Sequence, residues 1–592
     1  MGNRTWLSKK CGLNEVNKIE NFSFNIIRKR LFAFICAITF IFLFIVSRVF
    51  YIQIIWGESL QSKAIDQWTR ELPVSAKRGI ITDRNGVVLV DNIQSYAVYI
   101  RCRLLKDPTA AAKTIAEVLN MNEEDLYNKI ITHSTSEITV KRKVDKESIA
   151  KLKEHNISGV YYTTDNSRVY PYDDALCQVL GYTSVDGAGQ SGLELRYDEY
   201  LRGYNGEILY EADLVGKDIN GKSARYIRAT DGLSLKLTID YEIQRICDAV
   251  TDGAFAEYTP KSASMLVLDP SNGQILAISE KPTYNLNDVP RNDTELLNRI
   301  SRCSLIVDSY EPGSTFKVLT SAANIEEYLK GNVKAFSPDH IFSSNRYRIV
   351  GGKRIKCWSN HANGKHSNEN LAMALNNSCN PCFVDIALSL GKEKMYDYIE
   401  AFGYGKTTGV DFNGEASGML VPESAVTDGD IARISFGQTI AVTPLQLACA
   451  TAAAVNGGVY YEPYLVQEIY DDYGNVAERI KPKAKRRVIS EEASRILAGY
   501  LEGVVRDGSG KQAYIEGAKI AGKTGTAQKF CDGKLETGKY VMSFVGFFPA
   551  DNPRYLALAI VDEPVGGQYG STVAAPLVKK LFEGIIQVKG LR

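Results

Sequence analysis

The sequence predicts an α/β protein with one membrane helix near its N-terminus. Strand-like segments stand at both ends of residues 235–592 and helical segments lie between them. That order is typical of one antiparallel sheet with helices packed on its faces. Residues 31–47 carry no charge and are long enough to cross most of a bilayer core. Hydrophobic residues make up 45% and charged residues 23% of the 592-residue chain, so a disordered chain is excluded.

The overall charge argues against nucleic acid as a partner. Lys and Arg together number 70 and Asp and Glu number 69, which leaves a net charge of +1. Proteins that bind nucleic acid usually carry a basic excess that neutralises phosphates. Eleven cysteines are too few for a scaffold built on disulfides, and five histidines leave little room for catalysis by several imidazoles.

Residues 31–55 are predicted to form a membrane anchor. Arg48 interrupts the apolar segment near its end, where its side chain can reach the interface together with Tyr51 and Trp56. A cleaved signal peptide and a buried core helix are the alternatives, but no small-residue cleavage site follows the segment. No later segment is long and apolar enough to span again.

Charges on either side of the anchor predict its orientation. Residues 1–30 contain seven basic residues and two acidic ones, namely Arg4, Lys9, Lys10, Lys18, Arg28, Lys29 and Arg30 against Glu15 and Glu20. The positive-inside rule therefore predicts a cytoplasmic tail at 1–30 and a single-pass cell-membrane protein with an extracytoplasmic chain after residue 55.

Residues 56–234 are predicted to form a mixed α/β spacer or docking module. Residues 78–91 have the pattern of strand, Asn-Gly turn and strand. A charged helical region follows at 106–155, then strand-like pieces at 159–172 and a Gly-rich stretch at 181–203. No cluster of catalytic residue types stands in this region.

Residues 235–592 are predicted to form the large catalytic domain. A short strand leads into an amphipathic helix at 241–258, and a hairpin follows at 264–279. The chain returns to strands at 517–528, 540–550 and 554–564, and a last helix is predicted from about Ala575. The first and last strands would close one sheet.

The first chemical motif is Ser314-Thr315-Phe316-Lys317. Pro312 and Gly313 precede an apolar helical pattern, which puts Ser314 in the first helical turn and Lys317 on the same face. A serine hydroxyl needs an adjacent base, and a buried neutral lysine can act as one. The motif alone is weak, because Ser148-Ile149-Ala150-Lys151 matches it on what is predicted to be a solvated helix face.

Two further motifs follow along the chain. Ser378-Cys379-Asn380 offers a hydroxyl that could relay a proton and an amide that could hold a substrate, although Ser343-Ser344-Asn345 has the same pattern in a predicted turn. Lys523-Thr524-Gly525-Thr526 lies in a strand-like segment. Strand alternation puts Lys523 and Gly525 on one face, and a glycine within a strand often marks a close approach by a ligand or another backbone.

The order of the three motifs is far more specific than each one alone. Ser-x-x-Lys, Ser-x-Asn and Lys-Thr-Gly in this order are the set of the serine penicillin-recognising enzymes. From residue 78 to its end the chain resembles the class B penicillin-binding proteins. The similar blocks are YEPGSTFK, SCNP, SFGQ, TPLQLA and GKTGTAQ, with RGIITDRNG and GLELRYDEYLRG nearer the membrane. KCW at 356–358 and SCNP are most similar to the stage V sporulation protein D group and its vegetative relatives in Firmicutes.

The resemblance implies a fold and a reaction. It implies a transpeptidase domain of α/β/α type on an elongated pedestal, with domains at 1–30, 31–55, 56–234 and 235–592. It also implies cross-linking of peptidoglycan stem peptides, in cell wall or spore cortex synthesis, through an acyl-enzyme that β-lactams block covalently. No cofactor is required for this chemistry.

The resemblance also implies residue roles. Ser314 would be acylated and Lys317 would take its proton, being neutral beside the cation Lys523. Ser378 would relay a proton to the leaving D-alanine while Asn380 positions the peptide. Thr524 and Thr526 would meet the substrate carboxylate beside Gly525, and the N–H groups of Ser314 and Thr526 would form the oxyanion hole.

Other functions share these motifs. A D,D-carboxypeptidase or β-lactamase has the same site but normally lacks a long pedestal, and a β-lactam sensor or non-catalytic scaffold of a division or sporulation complex is a third class. No segment at 56–235 resembles a glycosyltransferase, so a partner membrane glycosyltransferase is expected to make the glycan chains.

A cluster of cysteines and histidines flanks the second motif. Its members are Cys357, His361, His366, Cys379 and Cys382. Two thiolates and one or two imidazoles could hold a structural zinc ion, completed by an Asp. The alternatives are a disulfide from Cys357 to Cys379 or Cys382, and reduced buried thiols.

Overall fold

A computed structural model describes residues 13–60, 69–133, 137–211, 225–361, 366–531, 534–567 and 569–591. Residues 1–12 of the predicted cytoplasmic tail lie outside the described residues. The α-helices of the described chain are α1 (Leu13–Ile54), α2 (Pro108–Leu119), α3 (Glu123–Thr132), α4 (Lys146–Glu154), α5 (Cys177–Leu180), α6 (Gly192–Arg196), α7 (Asp198–Leu201), α8 (Tyr241–Tyr258), α9 (Thr294–Ile300), α10 (Ser304–Val307), α11 (Lys317–Leu329), α12 (Leu371–Asn376), α13 (Asn380–Leu390), α14 (Lys392–Ala401), α15 (Asp428–Ile434), α16 (Pro444–Val455), α17 (Glu491–Arg506) and α18 (Gly570–Lys589).

The strands belong to five sheets. They are β1 (Thr69–Val74), β2 (Ile81–Thr82), β3 (Val88–Arg101), β4 (Glu137–Val144), β5 (Val160–Val169), β6 (Gly206–Glu211), β7 (Arg225–Ile227), β8 (Ser234–Leu237), β9 (Ser262–Leu268), β10 (Ile275–Lys281), β11 (Tyr347–Val350), β12 (Lys353–Lys356), β13 (Val459–Tyr461), β14 (Val466–Tyr470), β15 (Val476–Arg479), β16 (Ala484–Arg487), β17 (Ala521–Cys531), β18 (Lys534–Phe548) and β19 (Tyr555–Asp562).

The chain divides into two compact units. One contains the described parts of residues 1–74 and 206–228, and the other contains residues 75–205 and 229–592. The first unit holds α1 and the antiparallel sheet β1-β6-β7. Within the second unit, strands from 75–205 and from the later region share one sheet, because β8 pairs with β2 on one side and β14 on the other.

Helix α1 contains the predicted membrane anchor. Its part Asn25–Ile54 has a mean hydropathy of 2.5 in its most apolar window and is exposed along its length. Thirty residues at 1.5 Å rise span about 45 Å, more than the roughly 30 Å of a bilayer core. The Arg48 guanidinium lies 5.4 Å from the centre of the Tyr51 ring and 5.6 Å from that of Trp56. One helix of the described chain therefore has the length and apolarity of a membrane span.

The sheet that carries the third motif has the order β10-β9-β19-β18-β17 and is antiparallel throughout. Alternate side chains of its strands enter two different cores. Met265, Phe544 and Ala559 pack with α8 and α18 on one face, while Leu266, Val545 and Leu558 pack with α11, α16 and α17 on the other. Burial of both faces by helices confirms the predicted α/β fold.

Several elements match the sequence-based predictions and two differ. The predicted turn between β2 and β3 is present, with Arg84 and Asn85 at its centre and Gly86 after them at φ +91°, and α8 covers 241–258 as predicted. Residues 106–155 also contain strand β4, although the sequence pattern predicts helix there. The last helix begins at Gly570, not near Ala575, because Pro576 lies inside it rather than at its start.

Candidate active site

The serine of the first motif sits on a tight turn that backbone packing holds in place. Ser314 belongs to the 3-10 helix Gly313–Phe316, which continues directly into α11. Gly313 N–H donates to Gly437 O over 3.0 Å. Gly437 has φ +81°, and a Cβ there would lie 2.1 Å from Gly313 O. Only glycine therefore fits at Gly437, and Ser314 itself stays half-buried at the surface of the cleft.

Lys317 lies one turn after Ser314 and is completely buried. Its Nζ donates to Ser378 O at 2.8 Å, to Ser378 Oγ at 3.0 Å and to Asn380 Oδ1 at 2.7 Å. Burial lowers the pKa of Lys317 to about 8. The first and second motifs are thus joined by one amine, and a neutral lysine is accessible near neutral pH.

Ser378 joins the helices α12 and α13 in a strained conformation. Its φ of +54° is the left-handed region that a residue with a Cβ seldom adopts. This conformation turns the hydroxyl towards both lysines. Lys523 Nζ donates to Ser378 Oγ at 3.0 Å, as Lys317 Nζ does. Backbone strain of this kind is common where a side chain must be aimed for chemistry.

Strand β17 supplies the other wall of the site. Lys523 is fully buried and donates to Thr524 O and Oγ1 as well as to Ser378. Burial, together with the charge of Lys317, holds the pKa of Lys523 well below its usual range. The resemblance implies that Lys523 is a cation beside neutral Lys317, and burial lowers the pKa of both amines.

Gly525 lets the serine turn approach the strand closely. A Cβ on Gly525 would lie 2.3 Å from Ser543 Oγ and 3.0 Å from Pro312 O. The next residue, Thr526, accepts a hydrogen bond from Gly570 N–H through Oγ1 at 3.0 Å. The close approach predicted for the glycine is therefore present, and its partner is the backbone just before Ser314.

The structure brings the three motifs together and leaves their look-alikes elsewhere. Ser378 Oγ accepts hydrogen bonds from Lys317 and Lys523, which come from the other two motifs. Ser148 instead lies in the first turn of α4, where its N–H and its hydroxyl donate to the capping carboxylate of Asp145, and it is half-buried. Ser343 lies in an irregular segment and accepts from Arg348. The spacing of the motifs does not predict the contacts that Gly437 and Gly570 make with the site.

Four of the five cluster residues converge beside Ser378. The ligand atoms of Cys357, His361, His366 and Cys379 all lie within 4.8 Å of one another. Cys357 Sγ is 3.8 Å from His366 Nδ1, and Cys379 Sγ is 3.9 Å from His361 Nε2. Cys382 belongs to a second group with Glu369 and Cys379, and Glu369 was not predicted from the sequence.

The cluster is set by its backbone and by the hydrogen bonds around it. His361 and His366 both have positive φ, and their rings are stacked with centres 4.5 Å apart. His361 Nδ1 is 2.9 Å from Ser344 O, a contact that fixes the ring and in which Nδ1 donates, and Nε2 faces Cys379. The cysteines whose side chains the structure describes are all free thiols.

Comparison with known proteins agrees with the motifs. The family model described as the penicillin binding protein transpeptidase domain matches residues 263–583, and that of the penicillin-binding protein dimerisation domain matches residues 73–237. The chain is 39% identical to stage V sporulation protein D of Bacillus subtilis (strain 168) over 571 residues, which cover 96% of this chain and 86% of that protein.

Two further matches cover most of the chain. It is 30% identical to the peptidoglycan D,D-transpeptidase FtsI homolog of Mesostigma viride over 574 residues, 92% of this chain and 93% of that one. Penicillin Binding Protein 2X from Streptococcus thermophilus has the same fold, with a TM-score of 0.72 at 24% identity over 88% of this chain and 81% of that chain. With a transpeptidase model matching more than half of its length, the chain belongs to the class B penicillin-binding proteins.

Proposed function

We propose that this chain is a serine-type peptidoglycan D,D-transpeptidase that cross-links stem peptides and is acylated by β-lactams. One observation carries the proposal. Lys317 of the first motif and Lys523 of the third both donate to the hydroxyl of Ser378 in the second, next to the turn that presents Ser314. Three segments far apart in the chain thus contribute one hydrogen-bonded network with a nucleophile at its edge.

In the first step Ser314 attacks the donor peptide. Neutral Lys317 takes the hydroxyl proton as Ser314 Oγ bonds to the carbonyl carbon of the penultimate D-alanine. Lys317 must first exchange one of its hydrogen bonds to Ser378 or Asn380 for one to Ser314. The carbon–nitrogen bond then breaks, and the leaving D-alanine receives, through Ser378, the proton that Lys317 took from Ser314, so that Lys317 is neutral again.

The oxyanion is held by backbone donors in this proposal. The N–H groups of Ser314 and Thr526 would point at the developing negative charge. Support comes from the packing of the two segments, since a Cβ on Gly313 would lie only 3.1 Å from Thr526 O. The turn and the strand therefore lie close together, as an oxyanion bound by both N–H groups requires.

The substrate carboxylate is assigned to β17. Thr526 Oγ1 already accepts from Gly570, so its hydroxyl proton is available to a carboxylate. Thr524 Oγ1 lies between Lys523 and Ser509 in the same network. A bound carboxylate would favour the charged form of Lys523, which without substrate is disfavoured by burial.

In the second step an amine of the acceptor stem peptide attacks the ester. The amine gives up a proton through Ser378 to neutral Lys317, which passes it to Ser314 Oγ as the ester bond breaks. The products are a new amide cross-link and free enzyme. Asn380 holds the peptide and, through Oδ1, orients Lys317.

The remaining parts of the chain receive their roles by the same proposal. Residues 1–30 would lie in the cytoplasm, 31–55 in the membrane, 56–234 would form the pedestal and 235–592 the extracytoplasmic catalytic domain. A membrane glycosyltransferase would supply the glycan strands. A role in sporulation is supported by the 39% identity to stage V sporulation protein D.

A structural zinc ion in the cluster is a further part of the proposal. Zinc bonds of about 2.0–2.3 Å in a tetrahedron place ligand atoms roughly 3.3–3.8 Å apart. The thiol–imidazole distances of 3.8 and 3.9 Å and the fixed His361 ring suit such a site. The ion would hold the loop before Ser378 and take no part in the reaction.

Elemental analysis of tag-free protein tests the zinc site. About one zinc per chain is expected in the wild type. Cys382→Ser should keep the ion, because Cys382 lies outside the four converging ligands, and Cys379→Ser should lose it, because Cys379 is one of them. Wild-type protein without zinc would overturn the proposal. In that case a mass 2 Da lower than that of the reduced chain would identify a disulfide (about 1 Da per lost hydrogen).

The catalytic assignment is tested by intact-mass measurement after incubation with a penicillin. One covalent adduct is expected, located on Ser314 and lost in Ser314→Ala. An adduct elsewhere, or none, would overturn the site. Turnover of a thioester donor with an amine acceptor then separates a transpeptidase from a D,D-carboxypeptidase, which would yield only hydrolysis, and from a non-catalytic scaffold, which would yield neither product.

A further inference from the structure

The hairpin β11–β12, next to the site, lies in a segment whose charged residues are all basic. Residues 341–368 contain six Lys or Arg residues and no Asp or Glu, in a chain whose net charge is only +1. The hairpin turns at Gly351 and Gly352, both with positive φ, and a Cβ at either would meet nothing within 4 Å. The tip therefore projects into open space.

One face of the hairpin fixes it to the helix that begins with Asn380. Val350 and Ile355 are buried in a small core with residues of α13 and α15. Arg348 donates through Nε and Nη2 to the two oxygens of Asp385 at 2.7 and 2.6 Å. The hairpin is thus held by packing and a bidentate ion pair, and the charge of Arg348 is neutralised.

The other face keeps its positive charge. Tyr347 is paired with Lys356 and Ile349 with Arg354, and these four exposed side chains share the outward face. Arg354 stacks on the Tyr347 ring at 4.9 Å, and no ion pair of Arg354 or Lys356 occurs among the described residues. Lys353 differs, because it is close enough to interact with Asp430. Two like charges on one face repel each other unless an anion joins them.

The hairpin contacts the second motif through its backbone. Lys356 O accepts a hydrogen bond from Asn380 Nδ2 at 3.2 Å, and Asn380 Oδ1 accepts from Lys317. The hairpin therefore extends the wall formed by Ser378 and Asn380, whereas the donor carboxylate is assigned to β17. An acceptor amine must arrive where the D-alanine departs, which is beside Ser378.

We propose that the outward face of β11–β12 binds carboxylate groups of the acceptor stem peptide through Arg354 and Lys356. The proposal rests on the transpeptidase function above. Charge complementarity identifies the occupant, because stem peptides carry free carboxylates and the exposed face offers cations without anionic partners among the described residues. The pair steers the acceptor chain so that its amine approaches the ester on Ser314.

Steady-state kinetics of the full-length protein in detergent test the proposal. The substrates are a thioester donor and an acceptor stem peptide with free carboxylates, compared with the same peptide amidated at those carboxylates. In Arg354→Glu/Lys356→Glu the acceptor KM is expected to rise about fivefold to tenfold, a size typical of two exposed charges. The KM for the amidated acceptor should change little. High salt should reduce the difference.

Three controls separate the possible causes. Arg495→Glu/Lys580→Glu makes the same charge change at exposed positions on α17 and α18 and should leave the acceptor KM unchanged. Arg354→Gln/Lys356→Gln should give a smaller rise than charge reversal. Penicillin acylation of Ser314 and hydrolysis of the thioester should proceed at the wild-type rate in every variant.

Two results would overturn the proposal while leaving the transpeptidase function intact. One is an unchanged acceptor KM in the charge-reversed variant. The other is an equal rise for free and amidated acceptors. If a polyglycerol-phosphate polymer inhibits the wild type but not the variant while KM is unchanged, the face binds a phosphate polymer instead. Absence of any turnover or penicillin adduct in the wild type would instead contradict the proposed function itself.

Discussion

Ser378 Oγ accepts hydrogen bonds from two buried lysine amines, and this sharing governs the charge of the site. Two ammonium groups on one hydroxyl would repel each other in a region from which water is excluded. Burial lowers the pKa of Lys317 to about 8, and burial together with the charge of Lys317 holds the pKa of Lys523 well below its usual range. Burial and mutual repulsion therefore both disfavour the state in which the two amines are charged together.

The rate of penicillin acylation should depend on the proton of Lys317. Below its pKa the amine is charged and has no lone pair to accept the serine proton, and above its pKa it is neutral. We therefore expect the second-order rate constant to rise between pH 6 and pH 9 (a range spanning about one unit or more either side of the pKa), with its midpoint near 8. Intact-mass measurement of the Ser314 adduct at timed intervals gives the rate.

Replacement of the base supplies the control for that profile. Lys317→Arg keeps a positive charge that cannot be lost in this pH range, so acylation should fall by about 100-fold or more at every pH. A rate that is flat across the range in the wild type would show that Lys317 is not the group that titrates.

The glycine of the SFGQ block should matter as much as a catalytic side chain. In Gly437→Ala the new Cβ would lie 2.1 Å from Gly313 O and displace the turn that carries Ser314. We expect acylation to fall by about 100-fold, since misplacement of a reacting atom by about 1 Å has that effect. Gly391→Ala is the matched control, because Gly391 has a similar φ of +83° but nothing within 4 Å of its Cβ. Equal acylation by the two variants would contradict this account.

At the scale of elements, a buried ion network ties the RGIITDRNG and GLELRYDEYLRG blocks to each other. Glu194 of α6 is fully buried between Arg78 Nε at 2.6 Å and Arg168 Nε at 2.7 Å. Arg78 also bonds Asp198 at 2.7 Å, and Arg168 donates to Gly79 O. The RGIITDRNG and GLELRYDEYLRG blocks are thus partners in one structural contact.

Glu194→Gln should destabilise the protein strongly because it removes the charge that two buried guanidinium groups share. Loss of one partner from a buried ion pair costs about 3–5 kcal/mol. The midpoint of thermal unfolding, measured by circular dichroism, should fall by several degrees. Glu199→Gln, on the exposed side of the same segment, should leave the midpoint unchanged. A similar midpoint for both variants would contradict the importance of the network.

Elements with one clear periodicity were predictable from the sequence, and mixed ones were not. Helix α8 begins after the cap residue Asp240 and ends as predicted, because its apolar period is regular and its cap is explicit. Strand β4 is hard to predict because it is short, lies between two helices and has Lys143 at positive φ, which breaks its alternation. Pro576 favours a helix start in the sequence, yet it lies inside the first half of α18.

At the scale of the whole molecule, the residues of the site were predictable but their contacts were not. The order of three motifs identified Ser314, Lys317 and Lys523, since chemistry restricts which residue types can act as nucleophile and base. Their meeting at Ser378 depends on long-range packing, which spacing along the chain does not encode. For the same reason the sequence offered Cys382 as a ligand and omitted Glu369, although both lie beside Cys379.

Removal of residues 1–60 should release the protein from the membrane without loss of reactivity. The contacts of Lys317, Ser378 and Lys523 lie within one compact unit, to which α1 does not belong. The truncated chain should appear in the soluble fraction and acquire the penicillin adduct on Ser314 at the full-length rate. A folded truncated protein that fails to react would contradict the independence of the site from the anchor.

The pairing of β9 with β19 has a consequence for how the enzyme is made. Leu268 pairs with Leu556, so the central strands of the sheet come from opposite ends of the catalytic region. A chain that is still being synthesised has β9 and β10 without β19, and β17 then lacks the strands that connect it to them and hold Lys523 near Ser378. Such long-range pairing forms late in folding. An incomplete chain is therefore not expected to react with a β-lactam, and only chains that are synthesised almost to the last helix should do so.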